Sequence, residues 1–455
     1  MNNWINGQFE YLDLFLAPLY IFIIVFIFNA FSPKEKVIKK YFIRGLSYKI
    51  LGGIIFWFVY CWLYNGGDSW AYFYSAKAIG NLLVQDFDKG YMVISAKTQG
   101  SDIFTYFNSN TGFPASYMSK DFHTFSVCRY TSILTIICFK SFLVTTILIA
   151  SLSFIGMWKF FTLITKLYPN ITRPVFYLVI ALPSLTFWGS GIMKDTFVLS
   201  AGCWFTYNFY MVFIKRKKLV TNSLLGFINI IIIINIKSYL IISLIPGALL
   251  WLNSAYLRNI NNILLKLVSF PIIASVIIFI GIYSFQNLSG LMGKYGNVDS
   301  AIKQAKVIQE DLLREENYGN NNYYLGDIDG SVSGMLKLAP MAVFTAVFRP
   351  LPWEIGSPTM VISAIENTLL LILTIILIIR ISPITFIRVI FSEPFLVMAF
   401  TFSILFAYGV GVASTNFGAL VRYKIPLMPF FFTGIYIIFN LTRKKSKNSQ
   451  NDNLI

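Results

Sequence analysis

An all-α, polytopic transmembrane helical bundle is the fold class this sequence predicts, and three observations carry it. The 455 residues are 56% hydrophobic and only 13% charged, with a mean hydropathy of +0.66, far above a soluble globular domain. Apolar runs long enough to cross roughly 30 Å of hydrocarbon, at about 20 residues each, recur along nearly the whole length. Lys and Arg fall in short clusters beside the ends of those runs, where anionic lipid and the orientation rule account for them. The net charge of +17 therefore needs no nucleic-acid partner.

Taken in order, the expected spans are 11–32, 46–64, 138–164, 174–191, 196–214, 221–236, 238–255, 266–285, 359–380, 394–413 and 424–441. The first follows "MNNWINGQFEYLDL", which lacks a basic n-region and a cleavage signal, so it reads as a retained helix. Basic clusters at 32–49, 215–218 ("KRKK"), Arg258 with Lys266, Arg380 with Arg388, and 443–447 fix the cytoplasmic side. They all fall on that side if the N-terminus is outside, the C-terminus is cytoplasmic and the run 335–349 does not cross. That run is short and ends in "RPLPWE", so it reads as a re-entrant segment. The result is about 11 spans and one re-entrant piece in a single polytopic domain, 1–455. Two larger extracytoplasmic segments, 65–137 and 286–334, and a cytoplasmic tail, 442–455, complete it.

Several chemistries are absent from the pattern. There is no GxxxxGK[ST] and no GxGxxG after a strand, so nucleotide-driven transport by this chain alone is not expected. The four cysteines, Cys61, Cys128, Cys138 and Cys203, show no CxxC, and His123 is the only histidine. No metal site and no cofactor are expected. A lone histidine in the polar stretch "KDFHTFSVCRY" reads as solvated rather than catalytic.

The candidate site lies where polar residues collect on the outer face. "TFWGSGIMKDTFVLS" (186–200) sets Lys194 beside Asp195 after Pro183 and two glycines, as an ionisable pair near a helix start, with Asp195 and Thr196 available as caps. "YNGGDSWAYFYSAKAIG" (64–80) offers Asp68 and Tyr72, and Asp68 also suits a helix N-terminus. "FRPLPWEIGSP" (348–358) holds Arg349, Trp353 and Glu354 on a rigid turn. "STNFGALVRYKIP" (414–426) brings Asn416, Arg422 and Lys424, and positive charge outside needs a local reason such as an anionic ligand. Asp68, Asp195 and Glu354 are thus candidate catalytic carboxylates, and Lys194, Arg349, Arg422, Lys424, Tyr72, Trp353 and Asn416 candidate substrate contacts. Arg offers phosphate a planar fork and Lys a point charge, while a carboxylate serves as general base on a sugar hydroxyl.

The order "GGDSWAYFYSAKAI", "PSLTFWGSGIMKD", "FRPLPWE", "SAIEN" and "TNFGALVRYK" resembles the O-antigen polymerase-like group of bacterial polysaccharide assembly systems. The early Asp and Tyr after a transmembrane helix are also similar to the first outer loop of GT-C glycosyltransferases. The resemblance implies an extracytoplasmic site in a bacterial inner membrane and a polyprenyl-phosphate-linked glycan as partner, besides membrane lipid. Other envelope polysaccharide assembly proteins are further partners it implies. On it, Asp68 is the candidate base, with Arg349 and Arg422 on the pyrophosphate. The chain departs from it in carrying one acid in "GGDSW" and only Arg314 in the loop 286–334. A transporter or flippase of a lipid-linked or anionic substrate, and a non-enzymatic export component, are the alternatives. A transporter calls for ionisable residues deep in several spans, and the sequence offers Lys140 and Glu366.

Overall fold

The computed structural model describes residues 11–64, 66–98, 100–258, 321–326 and 332–452, with four isolated positions between 275 and 310. The expected span 266–285 and most of the loop 286–334, Arg314 included, lie outside the described residues. What is described is all-α, with no strand and one isolated antiparallel bridge, Asn322 to Asn416. Among the described residues eight helices are long and apolar enough to cross a membrane. They are Asp13–Ala30, Lys36–Leu63, Phe142–Leu167, Lys194–Ile214, Leu219–Leu257, Pro358–Ile381, Pro394–Ala413 and Phe417–Arg443. Their exposed faces carry large apolar side chains such as Phe22, Ile55, Leu373 and Ile376, as lipid contact requires.

The chain divides into two units. The first comprises Met1–Thr162, Ile180–Trp204 and Asn229–Lys237. Its helices approach closely where small residues permit it: a Cβ on Gly156 would lie 2.0 Å from the Ser200 carbonyl oxygen. The segment 65–137 is largely helical rather than an open loop, with Asp68–Gln85 packed against Phe122–Ile137. The expected span 174–191 is not one helix. After Pro183 the chain forms only Pro183–Trp188, and residues 189–193 unwind while staying buried. Proline at the first position and the glycines at 189 and 191 explain the break, and neighbouring helices supply partners for the freed backbone. The Gly189 carbonyl accepts from Lys49 Nζ and, at 3.0 Å, from Ser153 Oγ. Lys140 lies in the turn before Phe142–Leu167, exposed and at φ 61°, and so is not a deep charge.

The second unit comprises Leu163–Val179, Phe205–Ile228 and Ser238–Ile455. The helix Val332–Phe348 packs on Pro394–Ala413, where a Cβ on Gly411 would lie 2.2 Å from the Ala342 carbonyl oxygen. It stops at the cis peptide Arg349–Pro350. The final helix Met428–Asp452 runs on through most of the tail expected at 442–455.

The apolar stretch Leu219–Leu257 is helical except at Lys237, whose φ of −145° and ψ of 78° break it. A straight helix would separate Leu219 from Tyr256 by about 56 Å. Instead, the Tyr256 hydroxyl donates to the Phe213 carbonyl at 3.1 Å and accepts from Arg216 Nη2 at 2.9 Å, just ahead of Leu219. The Trp251 ring stacks on Tyr210 at 5.6 Å. The stretch therefore doubles back at Lys237 into two helices, each near a membrane's width. Spin labels at positions 219 and 256 should accordingly report a distance far below 56 Å. A distance near the straight-helix value would remove the reversal.

Candidate functional site

In the first unit the polar residues gather at helix ends. Lys194 and Asp195, adjacent in sequence, do not form their ion pair with each other. Lys194 Nζ lies 3.3 Å from Asp121 Oδ2, and Asp195 Oδ1 accepts from Lys237 Nζ at 2.5 Å. The second pair is buried, with side chains 6% and 3% exposed. Apart from Lys194, which opens the helix Lys194–Phe209, each charge matches the helix end it occupies. Asp121 caps Phe122–Ile137 by accepting from Thr124 N at 3.0 Å, and Asp195 sits in the first turn of Lys194–Phe209, both at positive dipole ends. Lys237 stands where the helix beginning at Leu219 breaks, at its negative end. Thr196, an expected cap, donates instead to the Trp188 carbonyl at 3.3 Å.

His123 belongs to the same cluster. It is buried in a helix, against the expectation of a solvated loop histidine. Its Nδ1 lies 3.1 Å from the Asn235 carbonyl oxygen. A carbonyl only accepts, so Nδ1 carries the hydrogen and a neutral ring keeps its lone pair on Nε2. Asn235 also donates Nδ2 to the Tyr130 hydroxyl at 2.7 Å. Two carboxylates, two amines and an oriented imidazole thus meet within one unit.

The outer-loop candidates of this unit fare differently. Asp68 is exposed at the first position of Asp68–Gln85, and Gly67, at φ 87°, is the cap residue. Tyr72 is buried on that helix. Trp70 and Trp188 are packed in the core, Trp70 against Phe142 and Trp188 against Phe56.

In the second unit the structure joins four candidates. Arg349 Nε donates to Glu354 Oε1 at 2.8 Å and Nη2 donates to the same oxygen. Glu354 Oε2 accepts from Leu351 N at 2.8 Å, so both carboxylate oxygens hold the turn. The Arg349 guanidinium lies against the ring pair of Tyr323, 5.3 Å away, and Phe417, 4.9 Å away, whose centroids are themselves 4.7 Å apart. Burial raises the Tyr323 phenol above its ordinary pKa, which keeps that ring neutral beside the cation. Asn416 caps the helix Phe417–Tyr423 through Ala419 N and donates to Asn322 Oδ1 at 2.9 Å. Tyr323 N donates to the Thr415 carbonyl at 2.7 Å, so the segment 321–326 is tied to 414–418.

Lys424 supplies a local reason for its charge that the sequence did not reveal. It is buried, and its amine donates to Asn367 Oδ1 at 2.6 Å, the Arg349 carbonyl at 2.9 Å and the Val347 carbonyl at 3.4 Å. The oxygens of the chain itself therefore replace the expected external anion. Arg422 is half-buried, with its guanidinium 5.8 Å from the Tyr423 ring, and Trp353 is exposed beside Glu354.

Sequence reasoning missed Asp121, Lys237, Asn367 and Tyr323, and set His123 aside. Lys237 had a signal, as the one charge inside an otherwise apolar stretch from 219 to 257. Comparison with family models, curated proteins and solved structures returns no match.

Proposed function

We propose that this chain is an integral membrane glycosyltransferase or polysaccharide polymerase acting on polyprenyl-pyrophosphate-linked glycans at the extracytoplasmic face of a bacterial inner membrane. The observation that carries the reading is the cluster around Asp121, His123, Lys194, Asp195 and Lys237. Asp195 and Lys237 each lie about 20 residues along the chain from the basic turn 215–218, a helical length of about 30 Å. With that turn cytoplasmic by the orientation rule, both fall at the outer end. The same rule favours about eleven crossings with the N-terminus outside and the C-terminus inside.

In this reading a carboxylate, Asp68 or Asp195, takes the proton of an acceptor hydroxyl as its oxygen attacks the anomeric carbon. The lipid pyrophosphate leaves with the bonding pair, and Lys or Arg offsets its charge. Glu354 serves less well as a base, because Arg349 and Leu351 N occupy its two oxygens.

A transporter or flippase is the second reading, and two observations favour it. The chain reverses within the apolar stretch at Lys237, and the buried amine of Lys49, midway along Lys36–Leu63, is an ionisable group placed deep in a span.

Proteoliposomes loaded with a polyprenyl-pyrophosphate-linked oligosaccharide separate the two. An enzyme lengthens glycans and releases polyprenyl pyrophosphate, whereas a flippase moves the carrier across without changing it. Asp68→Asn, at an exposed position, should lower glycan transfer by about 100-fold or more if Asp68 is the base. Full transfer by that variant assigns the base elsewhere, and carrier movement without transfer overturns the enzyme reading.

A further inference from the structure

We propose that the basic end of the second unit holds an anionic phospholipid, with Arg388 on the headgroup phosphate and the exposed apolar face of the helix Pro383–Ser392 on its acyl chains. Four stretches of chain meet at this end. Tyr168 Oη donates to Glu393 Oε2 at 3.3 Å, and Arg258 Nη2 lies 3.6 Å from Glu393 Oε1. Through Tyr256, two residues before Arg258, the same end reaches Phe213 and Arg216.

Its charge is one-sided. Residues 163–179, 205–228, 250–258 and 380–393 contain nine Lys and Arg and a single acid, Glu393. That acid is already engaged by Arg258 and Tyr168. Arg388 is exposed, and no carboxylate among the described residues lies within 4 Å of its guanidinium.

The helix Pro383–Ser392 has ten residues, too few to cross a bilayer, and it links the spans Pro358–Ile381 and Pro394–Ala413. A short link between two spans lies at the membrane surface. One side of it packs inward, with Val389 buried and Phe386 6.0 Å from Phe400. The opposite side carries Ile384, Ile387 and Phe391, exposed by 72%, 54% and 63%. With Arg388 these residues follow a spacing of three to four, so the cation stands within the apolar stripe. Such a stripe is unfavourable against water and suits the boundary between acyl chains and headgroups, where Arg extends its head to phosphate. A free phosphate ion would use Arg388 but would leave the three apolar residues without a partner.

The test is lipid retention by the purified full-length protein. It is exchanged into nanodiscs of zwitterionic lipid containing a small fraction of phosphatidylglycerol, and bound lipid is counted by native mass spectrometry after extraction. Phosphatidylglycerol should be enriched over phosphatidylcholine, and Arg388→Gln should weaken that enrichment about fivefold, the share of one Arg near an anionic surface. Ile387→Ser should also reduce it, whereas inorganic phosphate in excess should not compete. Unchanged enrichment in Arg388→Gln, equal retention of both lipids, or full competition by inorganic phosphate would each overturn the proposal. Because Arg388 is exposed, a matching elution profile and helical content check that the variant is folded.

Discussion

Asp195→Asn alone is expected to destabilise the protein by roughly 3–5 kcal/mol, because it breaks a buried ion pair by removing one of its two charges. Lys237→Met should cost a similar amount for the mirror reason. The double variant Asp195→Asn with Lys237→Met should recover most of the loss, since it removes both desolvated charges together. Exchanging the charges, with Asp195→Lys and Lys237→Asp, should do worse than the neutral double. It would set a second cation beside Lys194 at the N-terminus of Lys194–Phe209 and an anion at the helix end before Lys237. Thermal unfolding in detergent, run as a double-mutant cycle, reads all four. Additive single effects would mean that the two residues do not interact.

Arg349→Met should release the tie between 321–326 and 414–418 and cost about 3 kcal/mol, the lower end for a buried pair, because the side chains of Arg349 and Glu354 are 21% and 12% exposed. The guanidinium neutralises Glu354 and packs against the contacting rings of Tyr323 and Phe417. Its loss leaves a carboxylate held only by Leu351 N among the bonds described above. Hydrogen exchange at the Tyr323 amide, which donates to the Thr415 carbonyl, should speed up markedly. Glu354→Gln in the same background should restore part of the stability. Arg349→Lys should not, since an ammonium has neither the paired donors for Glu354 nor the flat guanidinium that packs against the two rings. Unchanged exchange at Tyr323 would show that the bridge alone secures the segment.

Much of the architecture was legible because it depends on local properties. Hydropathy marks most of the long spans, and a lone lysine in a long apolar run marks the turn at 237, where two expected spans meet. The proline and glycines of 183–191 announce a break, and the expected single span 174–191 failed because those signals were read as the end of a helix rather than as its interruption.

The site was legible only in its residue types. Lys194 and Asp195 were visible as a charged pair, yet each is paired with a different residue, Asp121 and Lys237, 73 and 42 positions away. Lys424 was visible as a charge on an unexpected side, but its three oxygen partners lie 57, 77 and 75 positions away. By itself the sequence determined that this is a polytopic helical membrane protein, where most of its spans run and which turns are basic, since hydropathy and charge act over one or two helical turns. Tertiary structure decided which charge neutralises which and which way His123 faces. A buried ion is satisfied only by groups that distant helices bring within about 3 Å, a condition set by packing rather than by neighbours in the chain.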